Sequence, residues 1–448
     1  MPSPTVCFKE ATELKVPGLF MEVRMHNHNF VKLSTFCAFL ILGIIEASWA
    51  PMIPYIKARF SLDEATLGNL LLCVGTGAFL ALPLAGTLCT KVGCRRLVTG
   101  STLLLATALF IVSASGNVYL AAAALLCFGM ATIGMDIGIN VNAVMVETNL
   151  KKPLMSGFHG GYSLGSLTGS ALTTLLLTVG LGVFPIASML WVFAVVTVFT
   201  LCSGLYSGFG STHKKEGTQG SVDAGGVGSR AAPAPGADQS APARLLPPAL
   251  VLVAGFLCFI MYCAEGAVMG WSGVFANQER GLDLKHAGLM FTMFACAMVF
   301  MRFIGNRLVS KMGRRRTVVT GSVVVCLGFV MVAAVPHLAA AVAGFVIIGL
   351  GAANIIPQLI SFAGGIRGYP VNRTITFVNA VGYGGVLAGP VIIGHIAAAS
   401  SIATAFLGIS ALVLLVGVVS FVIMRPLPVS GPNPGAHRHP VSSLTHNH

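Results

Sequence analysis

Three carboxylic acids stand deep inside long apolar stretches of this chain: Glu46, Asp136 and Glu265, out of 14 acids in all. A charge at the centre of a bilayer costs about 2.5–3.5 kcal/mol on insertion scales, so an ionisable group there usually faces a cavity or a partner. The chemistry open to such a group is to take a proton from one side of a membrane and release it on the other. A buried acid hydrogen-bonded for helix packing is the competing reading for each. The proton site is the expectation here for all three. Glu46 lies three residues before Trp49, which puts both on one helix face, and Glu265 follows Tyr262 by three. Asp136, Asn140 and Glu147 fall at i, i+4 and i+11, a single stripe in which Asp136 is the deep member. Glu147 is near the end of its run, four residues before Lys151, where a structural or gating ion pair is expected.

A second group of polar residues shares these runs. His159, Tyr162, Ser163, Ser166 and Ser170 form a polar strip beside a glycine stripe at Gly157, Gly161, Gly165 and Gly169. The glycines allow a neighbouring helix to approach closely. Histidine titrates in the physiological range; His159, close to Lys152, is expected toward one mouth, as a gate or a helix–helix hydrogen bond. Asn354 and Gln358, either side of Pro357, and Asn379 offer amides that bind solute hydroxyls or satisfy neighbouring helices. Trp49, Trp271 and Tyr162 offer rings for stacking, with an interfacial aromatic belt as the alternative, above all for Trp271. Substrate contacts are accordingly expected from Trp49, Asn140, Tyr162, Asn354, Gln358 and Asn379. Arg302 is expected to snorkel toward the nearer surface, with pairing to Glu265 or Asp136 the lesser reading.

The elements that must position these groups follow from composition. Of 448 residues, 55% are hydrophobic and 9% charged, with a mean hydropathy of +0.85; soluble domains carry about 25% charged residues. The apolar runs are long enough to cross a core of about 30 Å as single helices, and they lack the alternation of a transmembrane barrel. The reading is an all-α membrane protein of twelve helices. It divides into an N-terminal extension (1–31), a six-helix bundle (32–208), a flexible linker (209–246), a second six-helix bundle (247–424) and a tail (425–448). The linker is Gly-, Ala- and Pro-rich and too poor in apolar residues to fold. The tail carries His437, His439, His446 and His448, read as incidental to a disordered segment.

Twenty-three of the 27 Lys and Arg fall at the N-terminus, the even-numbered turns, the linker and the tail; only Lys57, Arg59, Arg280 and Lys285 fall on the other side. That bias places both termini in the cytoplasm and makes the formal charge of +13 an orientation signal rather than a sign of nucleic-acid binding. No cleavable signal peptide is evident, and Met21 or Met25 are alternative starts. The 11 cysteines form no CxxC and read as small packing residues. No Gly-x4-Gly-Lys-Ser/Thr loop occurs, which argues against an ATP-driven pump in this chain. No metal-ligand spacing, soluble catalytic domain or cofactor motif is found.

The chain also repeats itself. Gly86-Thr-Leu-Cys-Thr-Lys-Val-Gly-Cys-Arg-Arg96 returns 220 residues later as Asn306-Arg-Leu-Val-Ser-Lys-Met-Gly-Arg-Arg-Arg316. Lys91, Gly93, Arg95 and Arg96 thus recur as Lys311, Gly313, Arg315 and Arg316, and the same offset relates Gly129 to Gly349 and Gly165 to Gly385. Both copies hold six runs and start on the same side, so the repeat is parallel, the arrangement of transporters whose halves rock about a central site.

With these residues the chain resembles the major facilitator superfamily over nearly all of its length outside the termini and linker. Gly86, Leu88, Lys91, Gly93, Arg95 and Arg96 fit the family's loop motif Gly-x-Leu-x-Asp-Arg-x-Gly-Arg-Arg, while Thr90, and Asn306 and Ser310 in the second copy, depart from it. A finer resemblance, carried by Asp136-Ile-Gly-Ile-Asn140, Glu147 and His159-Gly-Gly-Tyr-Ser-Leu-Gly165, is to fucose-permease-like members and poorly characterised bacterial inner-membrane transporters. The resemblance implies that the first, fourth, seventh and tenth helices line a cavity. It also implies that the two basic turns gate the cytoplasmic face. The expected protein is a proton-coupled symporter of a sugar or similar metabolite, a monomer in a bacterial inner membrane, with proton-coupled efflux of amphiphiles as the alternative. It is expected to be no enzyme and to need no cofactor or metal; its partners would be its solute, protons and the bilayer.

Overall fold

Every apolar run is helical in the computed structural model, which describes residues 28–151, 154–206, 248–366 and 370–424. The linker 209–246, the histidine-bearing tail and the alternative starts lie outside these residues. In the first bundle α1 is His28–Phe60, α2 Glu64–Val92, α3 Cys94–Ala114, α4 Val118–Leu150, α5 Met155–Thr178 and α6 Val183–Leu201. In the second, α7 is Ala249–Arg280, α8 Leu289–Met312, α9 Arg314–Ala334, α10 Leu338–Ala352, α11 Ile355–Gly364, α12 Val371–Ala399 and α13 Ile402–Ile423. There is no strand among the described residues. α1 begins at His28, and residues 1–27 lie outside the described residues.

The tenth run departs from a single helix. It breaks between Ala352 and Ile355, with Asn354 at the start of α11. Pro357 gives the reason: its ring clashes with the carbonyl four residues back, at Ala353, and it has no N–H to donate there.

Among the described residues, eleven spans, with α10 and α11 counted as one, are long and apolar enough to cross a membrane, and α5 is not among them. Its 24 residues are of spanning length, but glycine, serine and threonine occupy much of its surface. Those residues let α5 lie directly on α1. A methyl group added at Gly165 would overlap the Leu40 carbonyl and one at Gly169 the Ile44 carbonyl, and the Ser48 hydroxyl donates to the Gly169 carbonyl at 3.3 Å. Dispersion between closely approaching backbones replaces the missing hydropathy.

The sequence repeat is a repeat of contacts. Gly165 on Leu40 corresponds to Gly385 on the Phe259 carbonyl, where α12 packs on α7. Gly129 on the Val74 carbonyl, where α4 crosses α2, corresponds to Gly349 on the Phe294 carbonyl, where α10 crosses α8; Val74 and Phe294 are themselves 220 residues apart. The basic turns repeat too. Gly93 and Gly313 have φ of 86° and 79°, and each N–H closes the preceding helix, on Cys89 at 3.0 Å and Val309 at 2.8 Å. A side chain at such φ costs roughly 1–2 kcal/mol, which is why glycine stands at both.

The halves meet chiefly at the end of the molecule away from the basic turns. There α2 lies on α12, with Gly68 against Pro390 and Gly394, and Gly273 of α7 faces Pro54 of α1. Thr174 and Thr292 share a hydrogen bond of 3.2 Å, and Thr178 reaches the Lys285 carbonyl at 3.2 Å and the His286 ring at 3.3 Å. Glu64 ties three helices: it accepts from Lys57 at 2.9 Å and from Gln278 of the other half at 3.1 Å. Partly exposed pairs of this kind contribute about 1 kcal/mol or less. Glu64→Ala should therefore raise the population open at this face by up to about fivefold, read as a longer spin-label distance between positions 61 and 282.

Candidate functional site

The three deep acids reach the same level of the bundle from three helices. Glu46 is midway along α1, Asp136 midway along α4 and Glu265 midway along α7. Each is half-buried rather than sealed in a core. Glu46 and Asp136 lie within electrostatic reach of each other in the first half. Glu265 approaches from the second half, within reach of Arg302.

Each first-half acid has a hydrogen-bond donor from the residues singled out beside it. The Tyr162 hydroxyl, on α5, donates to Glu46 Oε2 at 3.1 Å. The Asn140 amide donates to Asp136 Oδ1 at 3.0 Å and to its backbone carbonyl at 2.8 Å. The i, i+4 spacing seen in the sequence is therefore a direct side-chain contact, and it turns Asn140 toward the acid.

Arg302 belongs to this centre, which corrects its expected snorkelling. One guanidinium nitrogen stands 3.5 Å from the Ser163 hydroxyl of the opposite half, within electrostatic reach of His159, Tyr162, Tyr262 and Glu265. It forms no ion pair among the described residues. A signal for this is present in the sequence. Arg302 is the one basic residue well inside an apolar run, and no acid lies within four residues to neutralise it on its own helix.

Two tyrosines complete the centre, and neither is marked as a site by its type or spacing in the sequence. Tyr262 of α7 and Tyr383 of α12 stack with ring centroids 5.5 Å apart and planes 20° from parallel. Both are within electrostatic reach of Asp136. His159 sits nearer the basic-turn end, its ring edge-on to Phe39 with centroids 5.1 Å apart.

Trp49 is 4% exposed and tilts against Phe128 at 6.4 Å, inside the first bundle, so it presents no ring to a solute in this state. Trp271 is fully buried, which removes the aromatic-belt reading; its ring edge packs toward Gly394 of α12. Asn354 packs on Gly305 and reaches toward the Met301 carbonyl at 3.5 Å, within the second half. Gln358 is half-buried one turn further along α11, and Asn379 is 5% exposed.

Glu147 makes a different contact from the expected pair with Lys151. Its Oε1 accepts from the backbone N–H groups of Leu154 at 2.7 Å and Met155 at 3.2 Å. These N–H groups open α5, so Glu147 fastens the start of α5 to the end of α4. A carboxylate on free first-turn amides is stabilised by the helix dipole as well as by the bonds. Glu147→Ala should lower stability by about 1–2 kcal/mol, seen as a reduced melting temperature.

The basic turns keep to their own halves in the contacts described. The Arg95 N–H donates to the Tyr206 carbonyl at 3.0 Å, and Arg315 lies 3.9 Å over the Phe421 ring. Lys91, Arg96, Lys311 and Arg316 are exposed, and Gly86 is buried within α2. Cys89 and Cys94 face each other across the first turn at 3.2 Å as free thiols.

Comparison with known proteins agrees with this architecture. A family model described as Major Facilitator Superfamily matches residues 34–365 and 254–446. An uncharacterised MFS-type transporter of Yersinia pestis is 36% identical over 86% of this chain and 93% of its own length. The membrane protein MosC of Rhizobium meliloti is 28% identical over 85% of this chain and 87% of its own. Among solved structures, the nucleoside transporter NupG superposes with a TM-score of 0.64 at 12% identity, over 88% of this chain and 99% of that one. A bacterial homologue of the human lysosomal transporter Spinster, in an inward-facing and unoccupied conformation, gives 0.66 at 11% identity, over 88% and 96%. At such identities the likeness is one of fold.

Proposed function

Because the chain belongs to the major facilitator superfamily and is a membrane transporter of that kind, we propose that it moves a small polar solute together with protons by alternating access. The observation that carries the reading is that Glu46 and Asp136 of the first half and Glu265 and Arg302 of the second converge on Tyr162 and Tyr262, the three acids each midway along a helix. A passive facilitator has no use for three carboxyls at that depth, given what each costs there.

In this reading the acids hold the protons, and the donors beside them set how. Tyr162 and Asn140 orient Glu46 and Asp136 while those acids are ionised. Glu265, opposite, makes the centre sensitive to the separation of the halves. The basic turns face the cytoplasm by their charge, in the inner membrane of a bacterium. The state described, closed at the far end, is then open inward. Rocking of the halves breaks the Glu64 and Thr178 contacts and exposes the centre to the other side.

The test begins with a melting-temperature screen of purified protein against sugars, amino acids, nucleosides and amphiphilic cations, since a specific ligand stabilises the folded state by mass action. A stabilising solute is then added outside proteoliposomes that hold a pH dye. Symport acidifies the lumen as solute enters. Alkalinisation would instead mean proton antiport, the efflux reading, and solute entry with no pH change would remove proton coupling.

A further inference from the structure

We infer that the solute carried at this centre bears a single carboxylate, held by Arg302 and the Ser163 hydroxyl in the gap between the two halves. The inference rests on the proton-coupled reading and gives it a substrate class.

Arg302 lies ten residues from the end of α8 at Met312, about 15 Å along the helix axis. Its side chain is exposed, and its one described hydrogen bond crosses to the opposite half. The first-half acids are engaged by other donors, Glu46 by Tyr162 and Asp136 by Asn140. Glu265 stands within electrostatic reach but not in an ion pair with it. A guanidinium has five N–H donors in a planar fork, and one described hydrogen bond uses them here. That fork matches a carboxylate with two parallel bonds, a geometry an ammonium lacks.

Charge balance selects a monoanion. The charged and titratable groups within electrostatic reach of Arg302 are Glu265, His159, Tyr162 and Tyr262; Glu46 and Asp136 lie one step further, within reach of the same Tyr162, and Tyr383 is within reach of Tyr262 and Asp136. With the three acids ionised, three negative charges stand against one positive, and the centre repels an anion. With the acids protonated, the lone guanidinium remains, and one carboxylate brings the centre to neutrality. Anion and proton binding therefore favour each other, and by linkage the coupling is reciprocal. A neutral sugar would leave the guanidinium uncompensated in the loaded carrier. A phosphate monoester, carrying about −1.5 to −2 charges at neutral pH, would overcompensate it. The stacked Tyr262 and Tyr383 rings supply an apolar wall and two hydroxyls for the body of the solute.

The experiment uses four carboxylates beside uncharged counterparts of the same skeleton: glucuronate with glucose, gluconate with glucitol, lactate with propane-1,2-diol, and benzoate with benzyl alcohol. Glucose 6-phosphate is the dianion control. Binding is read as a melting-temperature shift of the purified full chain, and transport as lumenal pH in proteoliposomes. At least one carboxylate should bind, more tightly at pH 5.5 than at pH 8, while its counterpart and the phosphate ester do not. Arg302→Gln should weaken that binding about tenfold or more, the loss of a charge-assisted bond. Arg302→Lys, which keeps the charge and loses the fork, should retain part of it. The unliganded melting temperatures of both variants separate lost binding from lost folding. Silence of all four carboxylates, or binding indifferent to both substitutions, overturns the inference. If a neutral solute drives proton entry unaffected by Arg302→Gln, the inference falls and proton coupling stands. If a carboxylate binds through Arg302 but moves no protons, the inference stands and the coupling falls.

Discussion

A Gly129→Val variant should yield little or no folded transporter, while Gly408→Ala should purify and melt like the wild type. At Gly129 any added carbon would overlap the Val74 carbonyl and approach the Ala78 amide at 2.9 Å. These are backbone atoms of α2, and no rotamer change relieves the clash. The helices must move apart, and everything packed around the α2–α4 crossing must move with them. Overpacking in a well-packed interior commonly costs about 1–3 kcal/mol when side chains can yield; with two backbones in contact about twice that is expected, enough to unfold a marginally stable protein. At Gly408 no atom lies within 4 Å of the added methyl, and alanine is favoured over glycine in a helix by about 1 kcal/mol. The check is the yield of monodisperse protein and its melting temperature. Wild-type behaviour of Gly129→Val would mean that α2 and α4 do not touch as described.

Glu46→Gln combined with Asp136→Asn should abolish accumulation of solute against a gradient, by about a hundredfold or more, while exchange of labelled for unlabelled solute across proteoliposomes persists. Both amides keep the size of the acids, so the fold should be undisturbed. The new amide oxygen at position 46 can still accept from Tyr162, and the one at position 136 from Asn140. What is lost is the proton. A carrier that binds none performs exchange but cannot draw on the proton gradient, because a gradient does work only through a species that binds and crosses. If the double variant still accumulates solute, the first-half acids are not the proton sites, and Glu265 is the next to replace. Loss of exchange together with accumulation would assign the two acids to solute binding instead.

Much of this is legible in the sequence because the bilayer imposes strict rules on a linear string. Backbone groups in hydrocarbon must be satisfied internally, so a run of spanning length forms a helix wherever it later packs. The 220-residue offset survives because each half must rebuild the same helix crossings, and glycine is required where backbones touch, as at Gly165 and Gly385. The deep acids are visible by the same logic, since an ionisable group at that depth needs a function or a partner. Asn140 can be assigned to Asp136 because the two share one helix, whose periodicity fixes their contact.

What the string leaves open depends on approach between helices. Trp49 and Tyr162 are both aromatic residues at mid-depth, yet one packs on Phe128 inside its bundle and the other donates to Glu46. Nothing in residue type distinguishes them, because the rotation of each helix about its axis is set by every neighbour at once. Glu147 has the spacing of an i, i+4 partner of Lys151, but the free amides at the start of α5 come within reach only after α4 and α5 have packed, and they offer two bonds in a fixed place. Arg302 is ambiguous in the sequence because a long side chain can run along its helix to the surface or across to another. The sequence by itself determined the helices, their pairing by repeat and the depth of the acids, all of which follow from local periodicity and the cost of charge in lipid. Only the tertiary structure decided that Arg302 crosses to Ser163 and that Tyr262 meets Tyr383, because those contacts join helices far apart in the chain and depend on how the helices pack against one another.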